Sequence, residues 1–250
     1  MANETGTHAA EDRHRQAIAL AEYVEWRRKL RRKCIAFSTP LPEDRTSGRK
    51  IGDALKRISD IVGASAGLVL LFPLLAAIAI TIKATSRGPI FFRQQRIGLN
   101  GKPFTILKFR TMYMHLCDTS GVLQTVADDP RVTWIGNFLR KSNFDELPQL
   151  INVLKGEMSL VGPRPHVPGM LAAGLPYQEF DQRYMERHMV RPGITGLAQI
   201  NGCRGETNTE LTARMRLEYD LIYIRARSIP LDVTVLGQTI VREFFRGNGY

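Results

Sequence analysis

The longest hydrophobic pattern in the chain is a stretch without a single charged side chain. It runs from residue 61 to residue 82, IVGASAGLVLLFPLLAAIAITI, and spans 22 positions. About 20 apolar residues are enough for a helix to cross the hydrocarbon core of a bilayer. A core helix of a soluble protein seldom runs this long without a polar face. The stretch therefore predicts a helix in the membrane, and a buried core helix is the less favoured interpretation.

Proline falls near the centre of this stretch, and both flanks are basic. Pro73 removes a helical hydrogen bond, which costs about 3 kcal/mol in a helix interior and predicts a bend in the membrane. Because Lys and Arg resist translocation, both flanks are expected on the cytoplasmic side. We therefore expect a re-entrant helical hairpin over residues 51–88, with a kinked span as the alternative. The flanking cations are Arg49, Lys50, Lys56 and Arg57 before the stretch, and Lys83, Arg87, Arg93 and Arg96 after it.

Residues 1–50 form an extension of different composition. Residues 11–33 have helix-forming composition and end in the basic run RRKLRRK. Beside a membrane segment, such a helix would bind anionic headgroups, with Tyr23, Trp26 and Leu30 towards lipid. A solvated charged helix explains the same composition equally well. Residues 38–48, which contain several Pro, Ser and Thr, predict a linker.

Beyond the membrane segment, residues 89–250 alternate extended stretches with helical patterns. Residues 89–94 and 104–111 are rich in aromatic and β-branched side chains and flank a turn-like GLNG sequence, which predicts a β-hairpin. The class predicted is α+β and mostly helical, with a cytosolic catalytic domain that contains a small β-hairpin and amphipathic surface helices. Helical patterns occur at residues 134–140, at 147–155 before Gly156, at 177–189, and at 207–227.

Charge and motif content narrow the class of ligand. The formal net charge of +11 predicts an anionic partner, which nucleic acid, anionic lipid or a phosphorylated substrate would satisfy. We expect no nucleic acid, because the sequence has no helix-turn-helix signature, zinc-ligand spacing or RNP motif. Walker A and Rossmann glycine patterns are also missing. Cys34, Cys117 and Cys203 are far apart, which is typical of a reducing compartment.

The acidic pair Asp145 and Glu146 is the main candidate for chemistry. Both residues lie just before Pro148, and proline is best tolerated in the first turn of a helix, so the pair is expected at a helix N-terminus. One interpretation is structural, because Ser142 and Asp145 match the spacing of a capping box. The other is catalytic, because such a position favours an ionised carboxylate beside N–H groups that bind phosphate. The local pattern leaves both interpretations open.

Basic residues gather in the neighbouring segments and are candidates for neutralising a diphosphate. Arg164 is the most suggestive, because Pro163 and Pro165 stiffen the backbone on either side of it. A solvated surface charge is the alternative for each of these residues. The other candidates are Lys108, Arg110, Arg140 and Lys141.

Several long motifs occur in a fixed order: KRISD, the proline-broken apolar stretch, FFRQQRIGLNGKPFTILKFRTM, SNFDELPQLINVLKGEMSLVGPRP, RHMVRPGITGLAQINGCRGET and RLEYDLIYI. Over residues 56–245 this order resembles the bacterial sugar transferase family, the monotopic phosphoglycosyl transferases. The sequence is similar to the hexose-transferring members that start exopolysaccharide and capsule repeat units. Phe144 stands where the family usually has Leu, and the four additional N-terminal helices of the largest members are not found here.

The resemblance implies both a reaction and a location. It implies that Asp145 is the nucleophile and a magnesium ligand, that Glu146 is its catalytic partner, and that Arg164 binds the nucleotide or phosphate. The implied reaction moves a sugar 1-phosphate from a UDP-sugar to undecaprenyl phosphate and releases UMP. The implied location is the bacterial inner membrane with residues 89–250 in the cytoplasm. A catalytically inactive membrane scaffold is the alternative, and the sugar and any homo-oligomer are left open.

Overall fold

The computed structural model describes residues 21–26, 28, 47–114, 129–205 and 207–246. Leu30, most of the basic run and residues 38–46 of the predicted linker lie outside these ranges, as do Cys34 and Cys117. The helices are α1 Ser47–Thr85, α2 Trp134–Lys141, α3 Gln149–Lys155, α4 Tyr177–Phe180, α5 Leu197–Ile200, α6 Glu210–Ala226 and α7 Ile229–Arg246. The strands are β1 Phe91–Ile97, β2 Pro103–Phe109, β3 Ser159–Val161, β4 Leu171–Ala172, β5 Leu175–Pro176 and β6 Gly193–Thr195. Short 3-10 helices cover Leu99–Gly101, Phe144–Glu146 and Gln182–Met189.

Helix α1 contains the whole predicted membrane stretch. It is long and apolar enough to cross a membrane, and only 11% of its most apolar window is buried by the rest of the chain. Side chains such as Val69 and Leu70 are exposed, which distinguishes α1 from the core helix of a soluble protein. The helix is continuous through Pro73, so separate arms are not assigned. The re-entrant geometry therefore stays a prediction.

Small hydrophobic clusters join α1 to the rest of the fold. Ala64 packs with Phe104 and Ile106 of β2 and with Leu150 and Val153 of α3. Near its C-terminal end, Ile78 and Ile82 pack against Phe109, Ile135 and Leu139. Both halves of α1 thus contribute to the core of the domain that follows.

The predicted β-hairpin is confirmed. Strands β1 and β2 pair antiparallel with Phe91 opposite Phe109 and Ile97 opposite Pro103. The GLNG sequence forms the connecting 3-10 turn, in which Asn100 and Gly101 have positive φ. Backbone angles of this kind are favourable for Asn and Gly, which explains the turn signal in the sequence.

Helix predictions at residues 134–140 and 147–155 are confirmed by α2 and α3, and Gly156 ends α3 in the left-handed region. Residues 177–189 were predicted as one helical pattern, but they divide into α4 and a 3-10 helix at Asp181. The Asp181 side chain accepts a hydrogen bond from the Arg183 backbone N–H, and this cap begins a second helical segment.

Two aromatic residues of the N-terminal extension pack against the domain. Residues 21–26 are helical, and Tyr23 is buried with its hydroxyl donating to Glu218 Oε1 at 2.7 Å. Trp26 packs edge-on against Tyr219 with ring centroids 5.3 Å apart. The expectation that Tyr23 faces lipid is therefore wrong, because α6 covers it, whereas Trp26 is only half-buried against α6.

Candidate active site

A pocket of about 760 Å³ opens beside the hairpin and the start of α3. Eight basic and two acidic side chains contribute to its lining, so it suits a ligand with several negative charges. The two acidic residues are Asp145 and Glu146. All six predicted site residues line this pocket: Lys108, Arg110, Arg140, Asp145, Glu146 and Arg164. Lys141 is exposed and is not among the lining residues.

The acidic pair occupies the 3-10 turn immediately before α3. This confirms the expected position at a helix start, with Pro148 at the cap of α3. The capping-box interpretation is wrong, because the Ser142 hydroxyl donates instead to Phe138 O and Leu139 O at the end of α2. Asn143 then turns the chain with a φ of 55°. The acidic pair therefore has no role in the capping box that the sequence suggested.

Glu146 is held by two cations inside the pocket. Lys108 Nζ lies 2.7 Å from Glu146 Oε1, and the Arg164 guanidinium contacts both carboxylate oxygens at 2.5 and 3.0 Å. Burial works against ionisation of Glu146, but Arg164 and Lys108 outweigh it and hold the pKa well below its usual range. Glu146 is thus a fixed anion that orients the two cations.

Asp145 lies in a different environment. Its exposed fraction is 8%, and no hydrogen bond to its carboxylate is found within the described part of the chain. Burial is the largest cause that raises the Asp145 pKa to about 6, and Lys108 partly opposes it. The carboxylate is still mostly ionised at pH 7, but it is less acidic than the sequence suggested. A desolvated carboxylate without hydrogen bonds in a cationic pocket suits a nucleophile.

Arg140 and Arg110 serve different purposes in the pocket wall. Arg140 Nε donates to the Thr111 hydroxyl at 2.9 Å, which places the guanidinium beside the end of β2. Arg110 is almost fully buried and donates to Arg87 O and Ser86 O, each at 2.8 Å. These bonds fasten the segment after α1 to the hairpin. They engage the two terminal nitrogens of Arg110, and direct phosphate binding by this residue stays a prediction.

Arg96 and Gln94 are pocket residues that the sequence interpretation missed. They lie on β1 on the same face as Phe92, which is opposite Lys108 in the hairpin register. Burial is the main cause that lowers the Arg96 pKa to about 10, followed by Arg164. Side chains alternate between the two faces of a strand, so Gln94 and Arg96 lie on the same face of the hairpin as Phe92 and its partner Lys108. This alternation was the signal in the sequence that could have indicated both residues.

Four buried polar atoms in pocket residues have no hydrogen-bond partner among the described residues. They are Arg96 Nε, Arg110 Nε, His166 Nε2 and Gln199 Oε1. Buried polar groups are nearly always paired with protein, water or ligand. These atoms therefore suit a polar ligand that completes their hydrogen bonds.

The pocket offers few protein ligands for a magnesium ion. The described residues contain no cluster of three or more His, Cys, Asp and Glu side chains. Magnesium commonly takes one or two protein carboxylates together with substrate phosphates, however. Asp145 offers a buried carboxylate without a hydrogen bond among the described residues, so the chain fits an ion whose other ligands come from a diphosphate.

Comparison with known proteins agrees with this site. Over 196 residues, the chain is 49% identical to the exopolysaccharide production protein PSS of Rhizobium leguminosarum bv. phaseoli, covering 78% of the chain and 98% of the relative. It is 48% identical over 200 residues to a UDP-glucose:undecaprenyl-phosphate glucose-1-phosphate transferase of Klebsiella pneumoniae, covering 80% and 42% of the two chains. The protein of the same description in Escherichia coli K12 is 46% identical over 211 residues, covering 84% and 44%.

The chain thus spans less than half the length of the last two relatives. The sequence profile described as bacterial sugar transferase matches residues 51–246, which include α1 from its second turn onwards and the whole candidate site. The chain belongs to the bacterial sugar transferase family.

Proposed function

We propose that the protein transfers a hexose 1-phosphate, with glucose as the first donor to test, from a UDP-sugar to undecaprenyl phosphate and releases UMP. One observation carries the proposal: Asp145 is a buried carboxylate beside Glu146, which Lys108 and Arg164 hold in a cationic pocket. Two relatives at 46 to 48% identity carry this activity in their names. The reaction would start the assembly of an exopolysaccharide or capsule repeat unit.

In the first step, an Asp145 carboxylate oxygen attacks the β-phosphorus of the UDP-sugar. The bond between that phosphorus and the bridging oxygen of the diphosphate breaks, and UMP leaves with the electron pair. The sugar 1-phosphate is then joined to Asp145 as an acyl phosphate. The low exposure of Asp145 keeps water away from this intermediate.

Cations around Asp145 prepare the donor for attack. Arg164 and Lys108 contact Glu146 and line the pocket, where their N–H groups can also bind the diphosphate oxygens. Glu146 keeps both side chains in place, which reduces the reorganisation needed when the donor binds. Magnesium, with Asp145 as its protein ligand, would supply further neutralisation of the diphosphate charge.

In the second step, a phosphate oxygen of the polyprenyl phosphate attacks the same phosphorus, and the Asp145 carboxylate leaves. The lipid product then carries a diphosphate linked to the sugar. The acceptor phosphate lies at the membrane surface, so the enzyme has to hold its pocket there. Helix α1 and the anionic headgroups beside its basic flanks provide this attachment.

We further propose that α1 enters the inner membrane from the cytoplasm and returns to the same side. Lys56 Nζ contacts Asp232 Oδ2 at 2.7 Å, and Arg57 donates to Val153 O at 2.6 Å, before the apolar stretch. After the stretch, Arg110 binds Ser86 and Arg87. Both ends are thus tied to one domain, which supports a re-entrant arrangement with residues 51–88 as the membrane part and 89–250 as the cytosolic domain.

The first experiment identifies donor and reaction together. Membranes containing the protein are incubated with undecaprenyl phosphate and a panel of UDP-glucose, UDP-galactose and UDP-N-acetylated hexoses. We expect UMP and a lipid-linked sugar diphosphate from one hexose donor. Release of UDP would contradict the mechanism, and donor binding without any turnover would support the inactive scaffold.

The second experiment locates the nucleophile. The enzyme is mixed with donor in the absence of acceptor, and the protein is analysed by mass spectrometry for a phosphosugar adduct. We expect the adduct on Asp145, and its loss in Asp145→Asn and after chelation of magnesium. Robust turnover by a folded Asp145→Asn variant would rule out nucleophilic catalysis by this residue.

A further inference from the structure

The loop that carries Arg164 is fixed by its carbonyl groups. Pro163 and Pro165 have no backbone N–H to donate. Pro163 O accepts from Gly193 N at 2.9 Å, and Pro165 O accepts from Arg96 Nη1 at 3.3 Å. Between them, Arg164 O accepts from Arg187 Nη2 at 2.7 Å. Three successive carbonyls are therefore bound by groups from other parts of the chain.

Arg187 is a buried cation with two separate tasks. Its exposed fraction is 2%, and its Nε and Nη2 lie 3.1 and 2.8 Å from Asp220 Oδ2. The same Nη2 reaches Arg164 O. Arg187 lies in the 3-10 helix Gln182–Met189, and Asp220 lies in α6. An arginine guanidinium is planar and rigid, so binding to Asp220 also sets its direction towards the loop.

A buried ion pair is not by itself evidence for stability, since apolar residues often replace such pairs without loss. A role in placing the loop explains why a charged pair occupies this position. Arg187 stays charged there because Asp220 raises its pKa against the effect of burial. The loop in turn directs the Arg164 side chain onto Glu146.

We infer that Arg187, oriented by Asp220, is a positioning residue that holds the Arg164 backbone so that the Arg164 guanidinium meets the donor diphosphate. The inference rests on the proposed function, in which Arg164 binds that diphosphate. Arg187 itself is not among the residues that line the pocket. Its effect on the reaction therefore has to pass through Arg164.

A double-mutant cycle tests this dependence. Arg164→Ala and Arg187→Met are each expected to lower kcat/KM for the UDP-sugar by about tenfold or more. In the Arg164→Ala background, Arg187→Met is expected to add less than about threefold, because the side chain it positions is already missing. Arg187→Lys should restore part of the activity, since one donor can still reach Arg164 O.

The matched control is Arg183→Met. Arg183 is on the same 3-10 helix and is also paired with acidic residues, but among the described residues its ion pairs are with Asp181 and Glu218 and not with the Arg164 loop. We expect kcat/KM within about twofold of the wild type. Thermal unfolding of every variant is measured in parallel. If Arg187→Met leaves Asp220 unpaired and fails to fold, Arg187→Met/Asp220→Asn removes both charges and takes its place.

The outcomes separate this inference from the proposed function. The positioning role is overturned if the losses of kcat/KM caused by Arg187→Met and Arg164→Ala multiply in the double variant. It is also overturned if a folded Arg187→Met variant has wild-type kcat/KM. Wild-type kcat/KM in Arg164→Ala would instead remove Arg164 from donor binding, and the proposed function would lose that contact. The inference is supported if both single variants have a lower kcat/KM and the double variant is hardly worse than Arg164→Ala alone.

Discussion

Asp145 and Glu146 are neighbours in the sequence, but their environments separate their acidities. Burial raises the pKa of Asp145 to about 6, whereas Arg164 and Lys108 hold the pKa of Glu146 well below its usual range. Pairs of carboxyl groups divided in this way commonly have different catalytic roles. In the proposed mechanism, Asp145 is therefore the group whose protonation limits the first step.

We predict an acid limb in the pH profile of donor cleavage. Because the nucleophile has to be ionised, the rate of UMP release without acceptor should fall about tenfold for each pH unit below about 6 and level off above it. Single-turnover UMP release measures this without titrating the acceptor phosphate. A flat profile between about pH 4.5 and 7 would show that Asp145 ionisation does not control the step.

Neighbouring charges should move this limb in opposite directions. Glu146 raises the Asp145 pKa and Lys108 lowers it. Glu146→Gln is therefore expected to shift the acid limb to lower pH, and Lys108→Met to higher pH, on top of lower rates in both variants. The acid limb of each variant is measured from its remaining rate of single-turnover UMP release as the pH is varied. Shifts of the same sign would contradict the assigned electrostatics.

The raised pKa also makes a prediction about stability. The pKa of Asp145 is raised from the ordinary value of 3.8 to about 6 in the fold. Ionisation of Asp145 therefore lowers the stability of the fold as the pH rises from about 4 to about 6. Asp145→Asn is expected to raise the free energy of unfolding by as much as about 3 kcal/mol at pH 7 and by little below about pH 4. Thermal unfolding in detergent at both pH values measures the difference. A destabilised variant at pH 7 would point to a structural role for the charge.

Residue identity alone could indicate the site but not the individual contacts. The acidic pair and the basic residues near it were predicted, and all six candidates line one pocket. Arg110 and Lys108 look alike in the sequence, yet Lys108 reaches Glu146 while Arg110 binds backbone carbonyls. Which partner each side chain meets depends on the docking of α1 against the hairpin, and no local pattern contains that information.

At the level of elements, glycines allow β3, the strand that precedes the Arg164 loop, to lie close to the backbone of β6. Strands β3 and β6 are parallel, and Gly162 N donates to Thr195 O at 2.9 Å just after β3. A Cβ on Gly193 would lie 2.1 Å from Gly162 N, which is too close for any side chain. The close approach at Gly162 and Gly193 therefore determines where the loop with Pro163 and Arg164 leaves β3.

Gly193→Ala is predicted to impair both stability and catalysis. The two backbones have to separate, which should lower the free energy of unfolding by about 1 to 3 kcal/mol or more and displace the Arg164 loop. Gly237→Ala is the control, because its Cβ would meet nothing within 4 Å and it lies in α7. The control should be stabilised by about 0.5 to 1 kcal/mol with unchanged kcat/KM. Thermal unfolding and donor kinetics measure both effects. Equal stability and equal kcat/KM of the two variants would contradict the close approach of the backbones.

The elements predicted from the sequence share a strong local signal. Helices α2 and α3 have periodic apolar residues and, for α3, a terminal glycine, and the hairpin has a turn sequence between β-branched strands. The β3 and β6 pair was missed because each strand has only three residues and they are about 30 positions apart in the sequence. Helix α7 was also missed, although Pro230 in its first turn is a recognised start signal. Short pairings between distant segments are formed by tertiary packing and leave no local period.

At the scale of the whole molecule, the position of α1 relative to one domain is the main constraint on topology. A straight helix over 22 residues is about 33 Å long, roughly the thickness of the hydrocarbon core. If α1 spanned the bilayer, its ends would lie on opposite sides. Lys56 and Arg57 before the apolar stretch and Ser86 and Arg87 after it nevertheless contact the same domain. If that domain stays on one side of the membrane, as proposed, α1 has to bend at Pro73 or take a shallow path through the bilayer.

This constraint leads to a topology prediction with three matched positions. In a cysteine-free background, Gly52→Cys and Ala84→Cys place exposed thiols near the two ends of α1, and Leu70→Cys places one in the exposed apolar stretch. We expect an impermeant maleimide to label the two end variants only from the cytoplasmic side. It should label the Leu70→Cys variant from neither side, because lipid covers that thiol.

The same labelling shows whether the proline or the domain fixes the topology. Pro73→Ala restores a helical hydrogen bond and should favour a straighter helix. If the contacts at both ends of α1 dominate, the labelling pattern survives that substitution, because the domain holds both ends on one side. Labelling of the Gly52→Cys and Ala84→Cys variants from opposite sides, with Pro73 in place, would establish a span. The contacts at one end of α1 would then have to break in the membrane.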